Sequence, residues 1–208
     1  MQVSEGPSRR RTFAGRARRA QIVEAAIGVI AELGYGQASF ARIAERAGLS
    51  STRLISYHFA GKDELIKQVV AQLYGEMSGH MAERVQAEST PAGAFRTYIQ
   101  ALVGFISAHR ARMKALLEIF LNHRDADGGV TSYDAATDLA TLAPIEEILR
   151  WGQREGEFRM FDTRVMAMTV HRAIDGLPFL LEADPGRDLD AYGEELVTLF
   201  DLATRSAR

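Results

Sequence analysis

The 208-residue sequence has no cysteine, which excludes disulfides, thiolate metal sites and cysteine nucleophiles. Five prolines and eighteen glycines carry no collagen or linker signature. Long apolar runs are missing as well. One of the longest, Ala101 to Ala108, has eight residues, against the roughly 20 that span a bilayer, so no membrane partner is expected. The five histidines (His58, His80, His109, His123 and His171) show no i, i+4 ligand spacing, so a metal site is not expected; no cofactor is expected either. Lysine is scarce, with 3 against 22 arginines. The net charge is only −2, which taken alone argues against nucleic acid. What is present is an ordinary globular balance, 47% hydrophobic and 25% charged, in a chain long enough for one large domain or two small ones.

The small net charge hides a division. The first 62 residues hold ten basic and four acidic side chains, a net of +6, and the remaining 146 hold fifteen and twenty-three, a net of −8. A bias towards arginine explains arginine over lysine. It does not explain why acids are scarce first and abundant later. A basic head on an acidic body suggests a polyanion-binding module on a body that does something else. Arg9, Arg10, Arg11, Arg16, Arg18 and Arg19 cluster before position 20, and residues 1–18 read as a flexible basic arm. Arg10-Arg11-Thr12-Phe13 has the look of a twin-arginine export signal, but Ala14-Gly15-Arg16-Ala17-Arg18-Arg19 is not the apolar stretch that should follow. The expected location is the cytoplasm.

The periodicity is helical almost throughout. Ile22, Ala26, Val29, Ile30 and Leu33 form one stripe, and Gly34 stops that helix. Ser39 caps a short helix from Phe40 to Ala47 with Phe40, Ile43, Ala44 and Ala47 inward. Gly48 supplies a left-handed turn, and Ser50 or Ser51 caps a third helix reaching Tyr57. Longer helices are expected over 63–88, 91–109, 112–123, 133–155 with a bend at Pro144, 163–183 with an internal Pro178, and 190–205. A loop is expected from Asp125 to Thr131. The predicted class is all-α with about nine helices. The expected division is a basic helical head over 19–62 and a larger acidic helical body over 63–208.

The two short helices around Gly48 have helix-turn-helix spacing. A small residue (Ala44), the turn glycine and an apolar turn residue (Leu49) let two helices cross closely. The second then offers its outer face to the major groove. That face carries Ser51, Thr52 and Arg53, hydroxyls and a guanidinium suited to phosphates and base edges. Tyr57-His58-Phe59 closes the helix, and Lys62 beside the next helix start would welcome a phosphate. Phe59 reads as core, while Tyr57 could serve either core or surface.

The segment Ile22 to Ile66 resembles the TetR family of bacterial transcriptional repressors. Gly34-Tyr35, Ile43-Ala44, Ala47-Gly48-Leu49-Ser50, Tyr57-His58-Phe59, Lys62 and Leu65 match its pattern in order. In the body the likeness is in helix count, length and the flavour of Gly152-Gln153-Arg154-Glu155-Gly156-Glu157-Phe158. The resemblance implies a homodimer bound to a double-stranded, pseudopalindromic DNA operator. It also implies a body that binds a small-molecule effector and releases the operator. Carried over by position, Tyr57, His58 and Lys62 resemble phosphate contacts, and Ser39, Arg42, Ser51, Thr52 and Arg53 resemble residues facing DNA. Leu49 to Phe59 runs one residue longer than the family usually has, and Ser56 stands where many members carry a phosphate-contacting tyrosine.

The body's large residues, among them Phe95, Met166 and Phe179, read individually as core. As a set they could line an apolar cavity for an effector with substantial apolar surface, with Tyr98, Phe105, Met113, Phe120, His123 and Trp151 as the candidate lining. Val165, Met168, Ile174, Leu177 and Leu181, then Leu196, Leu199, Phe200 and Ala203, stripe the last two helices. The resemblance implies that this pair forms an isologous four-helix interface. The competing readings are a DNA-binding regulator whose body has no effector pocket, and an all-α enzyme or adaptor binding another polyanion. No nucleophile–base pair, phosphate loop or metal cluster in the sequence points to an enzyme.

Overall fold

The structure, a computed structural model, describes residues 7–124 and 135–206. Among them are ten α-helices, one 3-10 turn and no strand beyond an isolated bridge between Phe158 and Arg205. The helices are α1 (Pro7–Leu33), α2 (Phe40–Arg46), α3 (Arg53–His58), α4 (Lys62–Val85), α5 (Pro91–Ala108), α6 (Arg110–Asn122), α7 (Ala135–Arg154), α8 (Thr163–Asp175), α9 (Leu177–Ala183) and α10 (Leu189–Thr204); the 3-10 turn is Tyr35–Gln37. No described helix is long and apolar enough to cross a membrane. The expected loop from Asp125 to Thr131 lies outside the described residues.

The chain divides into two compact units. Of the described residues, the first holds those up to Leu73 together with 114–124, and the second holds Tyr74–Met113 and 135–206. The breaks between the units fall inside α4 and α6.

In the first unit the apolar stripe of α1 is buried at Ile22, Ala26, Val29 and Ile30. Leu33, expected on that stripe, is instead exposed. It is the last helical residue, and Gly34 turns the chain away at φ 82°, a left-handed value that glycine adopts without strain. The backbone is already helical from Pro7, so residues 7–18, expected as a flexible arm, extend α1. Residues 1–6 of that arm lie outside the described residues. Arg46 of α2 reaches α1 as a fork on Glu32, at 2.6 and 2.7 Å. Its guanidinium lies directly against Gly28, where any side chain would collide with it.

In the second unit α5 is the central helix, packed against α7, α8, α9 and α10. Thr90 caps it by accepting from the Gly93 N–H, and Pro91 opens its first turn as expected. Gly193 lets α10 approach Val103 of α5, with 3.3 Å left for a β-carbon. The expected single helix over 163–183 is broken: Gly176 separates α8 from α9, and Pro178 sits in the first turn of α9 rather than inside a helix. Pro144, by contrast, lies within α7.

The segment Gly152 to Phe158 acts as a clamp. Gly156 takes a left-handed φ of 74° and turns the chain back. Phe158 then packs on Gly152 and against the ring of Phe95, which also meets the ring of Phe200 of α10. The Arg159 amide donates to the Thr204 carbonyl at 2.9 Å, and the Ser206 amide to the Glu157 carbonyl at 3.1 Å, which staples the end of α10. The Gly and Phe of this motif are thus a matched pair. Gly152→Val is expected to lower stability by about 1–3 kcal/mol through overpacking against Phe158, measured by denaturant unfolding.

Candidate DNA-binding surface

α2 and α3 form the expected pair. Ser39 caps α2, its hydroxyl accepting from the Arg42 amide at 3.4 Å. Gly48 makes the turn at φ 62°, and the Leu49 amide closes onto the Ala44 carbonyl at 2.8 Å. α3 begins later than expected, at Arg53, because Ser51 forms a local turn: its hydroxyl accepts from the Arg53 amide at 3.1 Å.

α3 buries Ile55, and the residue after it, Phe59, is buried too. At about 100° per residue, Arg53 and Tyr57 then stand on the opposite side. Tyr57 is 82% exposed, which settles it as a surface residue. Ser51, Thr52, Arg53 and Ser56 are exposed with it, and His58 is half-buried with its ring edge-on to Tyr57 at 5.1 Å. No acidic residue occurs from Ala47 to Gly61, so this face presents hydroxyls, one guanidinium and aromatic rings without opposing charge.

Two expected contacts are partly engaged elsewhere. Arg42 is held by Gln37, its guanidinium donating to the side-chain oxygen at 2.9 Å. The Lys62 ammonium donates to the Tyr35 carbonyl at 3.2 Å and lies 4.2 Å from the centre of the Tyr35 ring. That burial pulls the Lys62 ammonium below the usual lysine range, with Asp63 opposing. One of its three N–H donors is committed to the head.

The residues that hold α3 in place were not singled out from sequence. Arg19 donates to the His58 carbonyl and to Glu64 (2.8 Å), and its guanidinium lies 4.2 Å over the Phe59 ring. Glu64 also accepts from the Ala60 amide at 2.7 Å. These donors, the Ala60 amide first and then Arg19, hold the Glu64 carboxyl below the usual range. The signal for Arg19 was available: it precedes Ile22 by three residues and Ala26 by seven, on the inward stripe of α1. Tyr35 ties the 3-10 turn to α6 and the residue after it, His123. Its amide donates to Glu118 at 3.0 Å, and its hydroxyl meets His123 Nδ1 at 2.6 Å. Burial, then the charge of Asp63, raises the Tyr35 hydroxyl above its usual range.

The structure does not gather the candidate effector lining into one unit. His123, buried and bonded to Tyr35, falls with Phe120 in the first unit. Tyr98, Phe105, Met113 and Trp151 fall in the second. There the buried Tyr98 hydroxyl meets His171 Nε2 at 3.0 Å, and His171 Nδ1 faces Asp175 at 3.4 Å. Burial, then Asp175, pushes the Tyr98 hydroxyl well up. Phe105 stacks on His109 with ring centres 4.2 Å apart.

The stripe expected at an interface also divides. Ile174, Leu177, Leu181, Leu196 and Phe200 are buried within the chain's own second unit. Val165, Met168 and Leu199 stay exposed, joined by Met160, Phe179 and Leu202. Among the described residues no group of histidines and carboxylates could hold a metal ion.

Residues 22–69 match the profile of the family described as bacterial regulatory proteins, tetR family. An HTH-type transcriptional regulator BetI 1 from Chromohalobacter salexigens is 34% identical over 87 residues, 41% of each chain. A BetI from Escherichia coli is 33% identical over 87 residues, 42% of this chain and 43% of its own. The matches to these curated relatives thus span about two fifths of their length. Solved structures extend the likeness of fold. The fatty acid degradation regulator FadR from Bacillus halodurans superposes with a TM-score of 0.77 over 96% of this chain and 97% of its own, at 20% identity. FadR from Bacillus subtilis, in complex with stearoyl-CoA, gives 0.76 over 86% and 96%, at 22% identity. Residues 22–69 thus match the N-terminal domain of the tetR family of bacterial regulatory proteins, and the chain shares the fold of these solved regulators along most of its length.

Proposed function

We propose that the chain is a ligand-responsive transcriptional regulator, a repressor that binds a pseudopalindromic operator as a homodimer and leaves it when a small molecule occupies the second unit. The observation that carries this reading is the exposed, acid-free face of α3, with Arg53 and the 82% exposed Tyr57 at its centre, inside a helix-turn-helix. Ser39, Arg42, Ser51, Thr52, Ser56, His58 and the remaining donors of Lys62 flank that face as the proposed phosphate and base contacts. The dimer face is α8 with α10, where exposed aliphatic side chains recur. The cytoplasm, where the operator lies, is the proposed location.

The effector is proposed to carry substantial apolar surface. A solved structure of similar fold is described in complex with stearoyl-CoA, which supports an acyl thioester or a comparable amphiphile. Tyr98, Phe105, Met113 and Trp151 are the proposed lining, all from the second unit. Release requires the effector to bind the form that does not hold DNA more tightly, by about 1–3 kcal/mol of coupling in typical cases.

The deciding measurement is binding of the purified protein to the DNA flanking its own gene across a salt series. The expected slope is about 0.9 decades of affinity per tenfold change in salt for each phosphate neutralised, with scrambled DNA bound more weakly. A flat salt dependence, or equal affinity for scrambled DNA, overturns the reading.

A further inference from the structure

We propose that Leu54 reads the C5-methyl group of a thymine in each half-site of the operator; this rests on the DNA-binding reading above. Leu54 is a large apolar residue of α3 that the head does not bury, at 37% exposure. It lies three residues before Tyr57, so the two are neighbours on one flank of the helix, and it follows Arg53 directly. Isolated exposed leucines need no explanation. Leu54 and Tyr57 are both exposed and stand three residues apart on the helix that a helix-turn-helix presents to the major groove.

The surroundings choose the partner. Ser51, Thr52, Ser56 and Arg53 border this pair with hydroxyls and a cation, and no carboxylate lies between Ala47 and Gly61. The matching surface is therefore anionic around a small apolar group. The major groove offers that arrangement: phosphates along its walls, and the thymine methyl as the apolar group on a base edge. Leucine has no hydrogen-bonding group, so it cannot serve a phosphate. Against thymine it gains contact with the C5-methyl, which cytosine lacks at the same position.

The test uses the full-length protein and a duplex that it selects from a randomised pool. That duplex is made once with thymine and once with uracil at every thymine position, which removes the methyl groups and keeps each base-pairing edge. The wild type is expected to bind the uracil duplex about tenfold more weakly, through two symmetry-related contacts of about threefold each. Leu54→Ala is expected to bind both duplexes equally. Uracil placed at single positions should reproduce the loss at one position per half-site, a result that needs no variant to fold. Equal binding of both duplexes by the wild type, with scrambled DNA still rejected, overturns the role of Leu54 and leaves the regulator intact. So does a Leu54→Ala protein that keeps the full thymine preference, or a loss spread over many positions. Failure to select any duplex overturns the DNA-binding reading itself.

Discussion

Replacing Leu199 and Leu202 with aspartate is expected to convert the proposed dimer into a 22.9 kDa monomer and to weaken the proposed operator binding by about 10²- to 10⁴-fold. The size of the effect comes from tethering. In a dimer the second head binds as an intramolecular event, and losing the link forfeits that effective concentration. The position follows from the second unit. Among the described residues, ten large hydrophobic side chains are exposed, and six of them fall between Met160 and Leu202. Leu199 and Leu202 are one turn apart on α10, and Val165 (62% exposed) and Met168 are one turn apart on α8. A two-fold axis through such a face would bury four aliphatic rows at once. Because both leucines point away from the chain's own core, the fold should survive, with stability changed by about 0.5 kcal/mol or less. Sedimentation gives the mass and circular dichroism the melting curve. A double variant that stays dimeric with native affinity removes this face from consideration.

The second large effect is expected at Phe59, in the opposite direction of cause. Phe59→Ala should cost about 3–5 kcal/mol of head stability, a large share of the 5–15 kcal/mol typical of a whole domain. The ring is 1% exposed, and the Arg19 guanidinium lies over it. Removing it leaves a cavity under the end of α3 and takes away the surface that seats Arg19. Tyr57→Ala is the informative contrast, since that ring is in solvent: DNA affinity should fall while the denaturant midpoint holds. If Phe59→Ala unfolds at the wild-type midpoint, Phe59 is not the support of α3 that its burial implies.

Much of the head was legible because its determinants are local. A glycine at position 48, a serine at 39 and the spacing of Ile43, Ala44 and Ala47 specify a cap, a turn and a buried face within a dozen residues. Arg19 was not, although its stripe position was available, because an arginine among arginines reads as charge for a polyanion. Its partners Glu64 and His58 lie 45 and 39 residues away, and no periodicity reports such pairings. Tyr35, Glu118 and His123 are a longer-range case still. Leu54 was passed over because hydrogen-bonding residues draw the eye on a recognition helix. In the body, the apolar stripe located Val165, Ile174, Leu196 and Leu199 together. A stripe records that a face avoids water; it does not record whether the chain itself or a second copy covers each position.

Trp151 is the chain's one tryptophan and sits on α7, in the second unit. Light absorbed at the red edge of the protein's ultraviolet band is therefore emitted from that unit alone. The many helices of both units contribute to circular dichroism, so the two signals weigh the halves of the molecule differently. A melt followed by both would separate unfolding of the first unit from unfolding of the second, which holds Trp151. With no cysteine in the sequence, a single thiol introduced on the exposed side of α3 would then be a unique point for a second dye.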